Sequence, residues 1–184
     1  MKNALVLSIA AVVLGVGVWL VVSAPVPRDA VPVPKSEESR EVSDNFELDR
    51  IALLPFVGGD GETVTLDSFR GTPLVINSWA VWCPFCRAEL ADFALLQKEF
   101  DGQIVVIAID RQESQEKTQA FTDELGITND MRFLLDPTDS FYRAIGGFSM
   151  PETIFVNAQG EIVRHRRGFM TLDEMRQHTQ NILQ

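Results

Sequence analysis

The two cysteines of this chain, Cys83 and Cys86, are separated only by Pro84 and Phe85. Paired thiols at this spacing can form a disulfide and exchange it with other thiols. If a helix begins at Cys83, its free amide groups and its dipole stabilise a thiolate there, and Pro84 suits the first helical position. We therefore expect Cys83 to be the attacking sulfur and Cys86, one turn inside the helix, to be the resolving thiol.

Two other uses of the cysteine pair compete with redox chemistry. A structural disulfide across so small a loop removes little chain entropy and stabilises the fold weakly. Half of a zinc site is the second, but zinc needs four ligands, and only His165 and His178 remain to assist, without metal spacing. Redox chemistry is favoured because a predicted strand precedes the pair and a predicted helix follows it. We therefore predict no metal, and no cofactor beyond a redox-active Cys83–Cys86 disulfide.

The elements that must position the cysteines are visible as apolar patterns. Continuous apolar runs at 73–77 and 104–109 suit strands of a parallel sheet that is covered on both faces. Between them, a helix that begins near Cys83 is predicted by apolar residues at helical spacing, namely Leu90, Phe93, Leu96 and Phe100. A second helix is capped by Ser114 and stops at Gly126.

The other predicted elements are short and follow one another closely. They are a β-hairpin at 57–69, a strand at 132–136, a helix at 140–145, an antiparallel hairpin at 153–167, and a last helix that begins with a capping box at 171–174. The order is a β-hairpin, then βαβαβα, then ββα. It predicts an α/β domain without internal repeats.

The N-terminal segment 4–24 contains no charged residue and is long enough for a helix that crosses a bilayer. A cleaved signal peptide is the alternative, because Val22-Ser23-Ala24 has the small residues that a signal peptidase accepts. The apolar stretch is longer than is usual for such peptides, and Pro25 follows it directly. We therefore favour an uncleaved anchor, with Lys2 on the cytoplasmic side.

Three segments follow from these patterns. We predict a transmembrane anchor at 1–24, a proline-rich and charged tether at 25–45, and a folded domain at 46–184. Apolar residues make up 46% and charged residues 23% of the chain, as is ordinary for a globular protein. The formal net charge of −10 repels phosphate backbones, so we expect no nucleic acid as a partner.

The segments INSWAVWCPFCRAEL at 76–90 and GGFSMPETIFVNAQGEIVRHRRG at 146–168 resemble the thioredoxin fold. More narrowly, they are similar to the TlpA/ResA-like and cytochrome c maturation (CcmG/DsbE-like) thiol:disulfide oxidoreductases. The resemblance covers about 46–184. It implies a thioredoxin-like α/β fold, in which a central mixed sheet is flanked by helices and carries an N-terminal β-hairpin and an extra βα unit, after an N-terminal transmembrane helix.

The same resemblance implies roles for single residues. Pro151 is expected as a cis-proline opposite the cysteines, where a cis bond turns the preceding backbone toward a bound peptide. It implies that Glu89 is an active-site acid and that Glu152 is similar to an acidic position of the cytochrome-maturation branch. The residues expected to contact the substrate are Trp82, Pro84, Phe85, Met150, Pro151 and Glu152.

The residues taken by themselves leave some of these roles open. Glu89 lies three residues beyond Cys86 on one helical stripe, where it could relay a proton, but a solvated carboxylate is equally consistent with the sequence. Asn77 stands where ordinary thioredoxins have a buried aspartate, and an amide cannot accept the proton of Cys86. Packing or surface positions without chemistry are expected for Trp79, Phe85, His165 and His178.

Three functions are compatible with these features. The first is a membrane-tethered dithiol reductase for disulfides of extracytoplasmic proteins, which a membrane electron donor recharges. The resemblance suggests apocytochrome c or its maturation factors as substrates. It also suggests the bacterial cytoplasmic (inner) membrane, crossed once, with the catalytic domain on the periplasmic side and the lipid bilayer contacted through 4–24.

The two alternatives use the same cysteine pair. One is an oxidant that donates its disulfide to folding proteins, but Pro84 and Phe85 offer no charge or imidazole to stabilise the reduced thiolate. The segment 110–132 also has room for only one helix, whereas dedicated oxidases carry a helical insertion. The other alternative is a non-catalytic module that binds a metal or a thiol through the pair.

Overall fold

The computed structural model describes residues 48–184, in which seven β-strands form one mixed sheet. The strands are β1 (Phe56–Val57), β2 (Thr63–Val64), β3 (Leu74–Trp79), β4 (Val105–Arg111), β5 (Arg132–Asp136), β6 (Glu152–Val156) and β7 (Ile162–Arg167). The helices are α1 (Asp49–Ala52), α2 (Pro84–Glu99), α3 (Gln115–Leu125), α4 (Ser140–Ala144) and α5 (Leu172–Ile182), and a 3-10 helix (Leu66–Phe69) lies between β2 and β3.

The strands follow the order β2-β1-β5-β4-β3-β6-β7 across the sheet. The three central strands β3, β4 and β5 are parallel, whereas β1 joins β5 and β6 joins β3 in antiparallel orientation. The predicted α/β architecture is therefore present, with an N-terminal hairpin and βα units that connect the parallel strands. The segment between β4 and β5 contains one helix, α3, as predicted.

Strand β3 is the centre of the packing, and all six of its residues are buried. Successive side chains of a strand point to opposite faces of the sheet. Leu74 and Ile76 accordingly pack in the core cluster that includes residues of α1 and α4, while Val75 packs with residues of α2 and α5. The prediction that the apolar runs at 73–77 and 104–109 are strands covered on both faces is confirmed, although β3 and β4 each extend two residues further.

The predicted helix boundaries are confirmed by their caps. The Ser114 hydroxyl accepts a hydrogen bond from the amide of Lys117 at 3.3 Å, and Gly126 ends α3 in the left-handed region at φ 70°. Thr171 and Glu174 form the predicted capping box of α5. These ends are coded locally, because each cap bonds within four residues of itself.

The N-terminal hairpin differs from the prediction in its second half. Its strands contain only two residues each, and the predicted strand region around Leu66 is instead a 3-10 turn. Leu66 is fully buried in the same cluster as Ile51, so the turn carries this side chain into the core.

The predicted anchor at 1–24 and tether at 25–45 lie outside the described residues. Within 48–184, no helix combines the length and the apolar character needed to cross a lipid bilayer.

Candidate active site

Cys83 and Cys86 are joined by a disulfide at the start of α2. Cys83 is the N-cap residue with an extended backbone, and Pro84 takes the first helical position. The amide N–H of Cys86 donates to the Sγ atom of Cys83 at 3.1 Å. The prediction that the helix begins at Cys83 is therefore confirmed, and a helical amide points at the sulfur predicted to attack.

The disulfide is recessed below exposed aromatic residues. Cys83 and Cys86 are 2% and 0% exposed, whereas Trp82 and Phe85 beside them are 63% and 61% exposed. Pro84 is exposed as well. Two large apolar side chains held in water next to a buried disulfide form an apolar surface that a protein partner can cover.

The segment before β6 lies beside the end of β3 that leads to the cysteines. The bond between Met150 and Pro151 is cis, as predicted. Glu152 pairs with Ser78 at the end of β3, so Pro151 lies beside the end of the strand that leads to Cys83. Met150 packs against the core cluster that contains both cysteines.

Glu152 is fully buried and holds the backbone before Pro151. Its Oε1 atom accepts hydrogen bonds from the amides of Phe148 at 2.6 Å and Ser149 at 2.7 Å. Its Oε2 atom lies 2.8 Å from Nε2 of His165 on β7. Burial by itself raises the pKa of Glu152, but the hydrogen bonds from His165 and the two amides outweigh it, so the pKa lies below its ordinary value. The buried carboxyl group is therefore ionised at neutral pH.

The prediction that His165 and His178 are ordinary surface residues is wrong. The side chain of His165 is only 18% exposed because it packs over Glu152. His178 on α5 is partly buried, and its ring centroid lies 5.1 Å from that of Phe155. Burial lowers the pKa of His178. Both imidazoles thus belong to the packing of β6.

Glu89 is also fully buried, so its interpretation as a solvated carboxylate is wrong. Its Oε1 atom accepts the amide N–H of Met170 at 2.9 Å. Its Oε2 atom has no hydrogen-bond partner among the described residues. Burial raises the pKa of Glu89 to about 8, although the Met170 amide opposes the shift. A carboxyl group that titrates near neutral pH can give and take a proton at working pH.

Two polar or aromatic residues of β3 lie beneath the site. Asn77 is buried, and its amide nitrogen donates to the Thr153 hydroxyl of β6 at 3.0 Å. Trp79 is fully buried, and its ring lies 5.4 Å from Phe121 and 6.1 Å from Phe133 between centroids. The prediction that Trp79 packs and Phe85 lies on the surface is confirmed.

Comparison with known proteins identifies the family. Residues 41–165 match the AhpC/TSA family. The chain therefore belongs to this family. One relative, the thiol-disulfide oxidoreductase ResA of Halalkalibacterium halodurans, is 30% identical over 61% of this chain and 63% of its own length. Another, the thiol:disulfide interchange protein DsbE of Allochromatium vinosum, is 31% identical over 62% of this chain and 61% of its own length. The matched region thus spans less than two thirds of both relatives.

A similar solved structure supports the thioredoxin-like fold of this AhpC/TSA chain. A secreted Mycobacterium tuberculosis disulfide oxidoreductase homologous to E. coli DsbE matches with a TM-score of 0.63. The match covers 72% of this chain and 98% of that one at 20% identity, which supports the fold alone. The predicted thioredoxin-like fold and the resemblance to ResA-like and DsbE-like proteins are confirmed. The predicted enzyme class is the class that the relatives' names carry.

The structure brings most predicted site residues of this family member together, while their catalytic roles stay predictions. Met150 packs against the core cluster that contains Cys83 and Cys86, and Glu152, which follows Pro151, pairs with Ser78 near the end of β3. Glu89 lies one turn below Cys86 on α2, with its carboxyl group at Met170. Among 48–184, no cluster of three or more metal-ligating side chains is present.

Two residues near the site have no counterpart in the sequence-based predictions. Phe148 is 86% exposed, two residues before Met150, and Tyr142 donates its hydroxyl to the Ser149 carbonyl at 3.1 Å. The sequence does indicate an exposed Phe148, because a phenylalanine that follows Gly146-Gly147 in a turn has no apolar face of a helix or strand to join. The contact of Tyr142 has no local signal, since it joins α4 to the segment before β6.

Proposed function

We propose that the domain is a thiol:disulfide oxidoreductase that reduces disulfides of exported proteins through Cys83 and Cys86. The observation that carries the proposal is the Cys83–Cys86 disulfide at the first turn of α2, with the Cys86 amide directed at the Cys83 sulfur. The helix dipole and this amide favour negative charge on Cys83 once the disulfide is reduced. The names of the relatives ResA and DsbE support the same class.

The reaction consists of two thiol exchanges. The Cys83 thiolate attacks one sulfur of the substrate disulfide, and a mixed disulfide forms while the other substrate sulfur leaves as a thiolate. Cys86 then loses its proton and attacks the Cys83 sulfur, which releases the second substrate thiolate and forms the Cys83–Cys86 disulfide. The substrate gains two electrons, and its two thiolates take up one proton that Cys86 released and one from solvent. An external dithiol donor must return the two electrons to the enzyme.

Glu89 is the candidate for the proton transfers. The sulfur of Cys86 must lose its proton in the second exchange, and Asn77 on the neighbouring strand carries an amide that cannot accept it. Glu89 lies one helical turn further along α2, and its pKa of about 8 leaves it able to change protonation state near neutral pH. We assign it as the acid and base of the site.

The substrate would lie across the exposed aromatic residues. Trp82, Phe85 and Phe148 are large apolar side chains exposed to water, and Met150, two residues after Phe148, packs against the core cluster that contains both cysteines. Burial of an aromatic side chain by a partner contributes strongly to binding. We expect Pro84 and Glu152 to border this surface, Glu152 through the loop that it holds.

The proposed setting follows from the sequence. We infer that 4–24 anchor the chain in the bacterial cytoplasmic membrane and that the domain works on the periplasmic side, with a membrane protein as its electron donor. Apocytochrome c or its maturation factors are the proposed substrates, as the resemblance of the sequence to the cytochrome c maturation branch implies. Intact mass of the membrane-extracted protein checks the anchor, because loss of about 24 residues would exclude it.

The Cys86→Ala variant tests the reaction. Without the resolving thiol, Cys83 retains its partner as a mixed disulfide, which mass spectrometry of the trapped complex identifies. Cys83→Ala is the matched control and should trap nothing. Capture of cytochrome maturation proteins supports the proposed substrates, whereas assorted secreted chains point to a general role. Stoichiometric zinc in the purified protein, with no activity toward disulfides, would favour the non-catalytic alternative instead.

The direction of electron flow has its own measurement. Equilibration of the purified domain with glutathione buffers gives its reduction potential, and a reductase is expected near the potential of thioredoxin, about −270 mV. A value near that of a strong oxidant, about −120 mV, would instead support the oxidant alternative.

A further inference from the structure

Tyr142 lies between a fixed cation and the backbone that precedes Pro151. The guanidinium carbon of Arg111 lies 3.5 Å from the centre of the Tyr142 ring. A Cβ atom at Gly147 would lie 2.5 Å from three carbons at the hydroxyl end of this ring, so the backbone of Gly147 lies directly against it. The ring is therefore held by close contacts with both residues.

Arg111 is itself held in place. Its Nε and one terminal nitrogen donate to the two carboxylate oxygens of Asp139 at 2.7 and 2.8 Å. The side chains of this ion pair are only 17% and 11% exposed. A two-pronged, largely buried pair restricts the guanidinium to one position. It therefore gives the tyrosine ring a rigid platform and a cation–π contact.

The hydroxyl of Tyr142 contacts the backbone that precedes the cis-proline. We name residues 147–150 the proline loop, because they precede Pro151. Tyr142 Oη donates to the carbonyl of Ser149 at 3.1 Å, and the Ser149 amide donates to Glu152 at 2.7 Å. The amide of Gly147 also donates to the carbonyl of Tyr142 at 2.8 Å. Both polar groups of the Ser149 backbone are thus bound by side chains from different elements.

Burial and the charge of Glu152 keep the hydrogen bond from Tyr142 to Ser149 in place. Burial and, after it, the negative charge of Glu152 raise the pKa of Tyr142 above its ordinary value. The phenol therefore stays protonated over the physiological range and donates continuously. Phe148, whose side chain is 86% exposed, is thus carried on backbone that is fixed at both neighbouring residues.

We infer that Tyr142 is a positioning residue for substrate binding, which acts through the proline loop on Phe148. The inference rests on the proposed function, since it assumes that a disulfide substrate covers Phe148. A fixed backbone lowers the conformational cost of ordering an exposed side chain when a partner binds. The role of Tyr142 is therefore in recognition of a polypeptide substrate, and the thiol chemistry of Cys83 does not depend on it.

The test variant is Tyr142→Phe, which removes the hydroxyl and keeps the ring. Two substrates separate recognition from chemistry. The first is a fluorogenic peptide disulfide with an aromatic residue beside its cysteine, in an assay in which dithiothreitol returns the enzyme to its reduced form. The second is the small disulfide 5,5′-dithiobis(2-nitrobenzoate). We expect KM for the peptide to rise about two- to tenfold, the range that loss of one hydrogen bond corresponds to, with kcat within about twofold. The reaction of the pre-reduced domain with the small disulfide should be unchanged.

Two further variants locate the effect. In the Phe148→Ala background, Tyr142→Phe should no longer change KM, because the residue through which it acts is absent. Ser140→Ala is the matched control, since it removes another hydroxyl of α4, which donates to Asp136 at 3.1 Å. It should leave both reactions unchanged.

The outcomes separate this inference from the proposed function. Wild-type protein that reduces neither disulfide refutes the proposed function. Active wild type with an unchanged KM in Tyr142→Phe overturns the inference alone. Equal losses on both substrates, or the same loss in the Phe148→Ala background, also overturn it, because Tyr142 would then act on the thiols or on general stability.

Discussion

Replacement of Glu89 by Gln should change how the stability of the oxidised domain depends on pH. Glutamine has nearly the shape of a protonated glutamate, and its carbonyl oxygen can still accept the Met170 amide that Glu89 accepts at 2.9 Å. The substitution therefore removes the ionisation and keeps the contact. Any difference between the two proteins that varies with pH then reports the buried carboxyl group.

The direction of this pH dependence follows from the raised pKa of Glu89. Burial raises the pKa of Glu89 from 4.5 to about 8 on folding. Between these values the unfolded chain has lost the proton and the folded chain retains it, so the folded state becomes less stable as pH rises. The destabilisation is absent well below pH 4.5 and complete above about pH 8.

The size of the destabilisation follows from the pKa values of Glu89 in the unfolded and the folded states. Linkage destabilises wild-type protein by about 0.8 kcal/mol at pH 5 and by about 4.4 kcal/mol at pH 8. Glu89→Gln has no such loss. The free energy of unfolding of the variant, minus that of wild type, should therefore increase by about 3.5 kcal/mol between pH 5 and pH 8.

Urea denaturation of the disulfide-bonded proteins at pH 5, 6, 7 and 8 provides the assay. Reductant is left out, so that no thiol titrates. Equal slopes against urea are required for the comparison of the two proteins. Unfolding free energies that differ by the same amount at all four pH values would refute the assigned protonation state of Glu89. In the reduced enzyme, the variant should also exchange disulfides more slowly, because its amide cannot carry a proton.

The remaining predictions concern the cysteines and two other buried carboxyl groups. Alkylation of the reduced domain by iodoacetamide across pH 5–10, followed by peptide mass spectrometry, should show Cys83 ionising well below about 8.5 and Cys86 reacting only above it; equal midpoints would contradict the assigned roles. Burial raises the pKa of Asp110 from 3.8 to about 6. In the same urea series, the gain in unfolding free energy of Asp110→Asn over wild type should therefore stop rising near pH 6, whereas the gain of Glu89→Gln continues to about pH 8. The pKa of Glu152 is lowered from 4.5, so its ionised form stabilises the fold above that pH, and this stabilisation is lost in acid. In urea denaturation, Glu152→Gln should lower the free energy of unfolding by about 1–3 kcal/mol at pH 7 and by progressively less toward pH 3. An equal loss at pH 7 and pH 3 would exclude an ionised Glu152.

The sequence predicts the elements well because their signals are local. The cap at Ser114, the stop at Gly126 and the capping box at Thr171 each involve groups within a few residues, and all three appear in the structure. The start of α2 at Cys83 has the same basis, since Pro84 occupies the first helical position. The position of the cysteine pair, and much of its chemistry, could therefore be predicted without tertiary information.

The burial of Glu89 could also have been predicted from the helical pattern. Glu89 precedes Phe93 by four residues and Leu96 by seven, which places it on the apolar stripe of α2. Its charge favoured a solvated position, and its place on the stripe favoured the core. The structure shows that place on the stripe decides, because the Met170 amide and a raised pKa reduce the cost of burying the group.

The contacts around the proline loop could not be predicted in this way. Tyr142 and Ser149 are seven residues apart across a turn, and Arg111 reaches Asp139 from a neighbouring strand. His165 reaches Glu152 because β6 and β7 pair in a particular register with an irregularity between Phe155 and Val156. A hairpin was predicted here, but its register decides which side chains meet.

Glu89 and Glu152 show why a residue type alone does not assign a role in this site. Both carboxyl groups are fully buried, so desolvation opposes ionisation in each. Glu152 accepts two backbone amides and lies against His165, and these bonds favour the charged form. Glu89 accepts one amide, and its other oxygen has no partner among 48–184, so desolvation prevails. A permanently charged Glu152 suits the fixed task of holding the proline loop, whereas a pKa of about 8 suits Glu89 to the proton transfers that we propose for it.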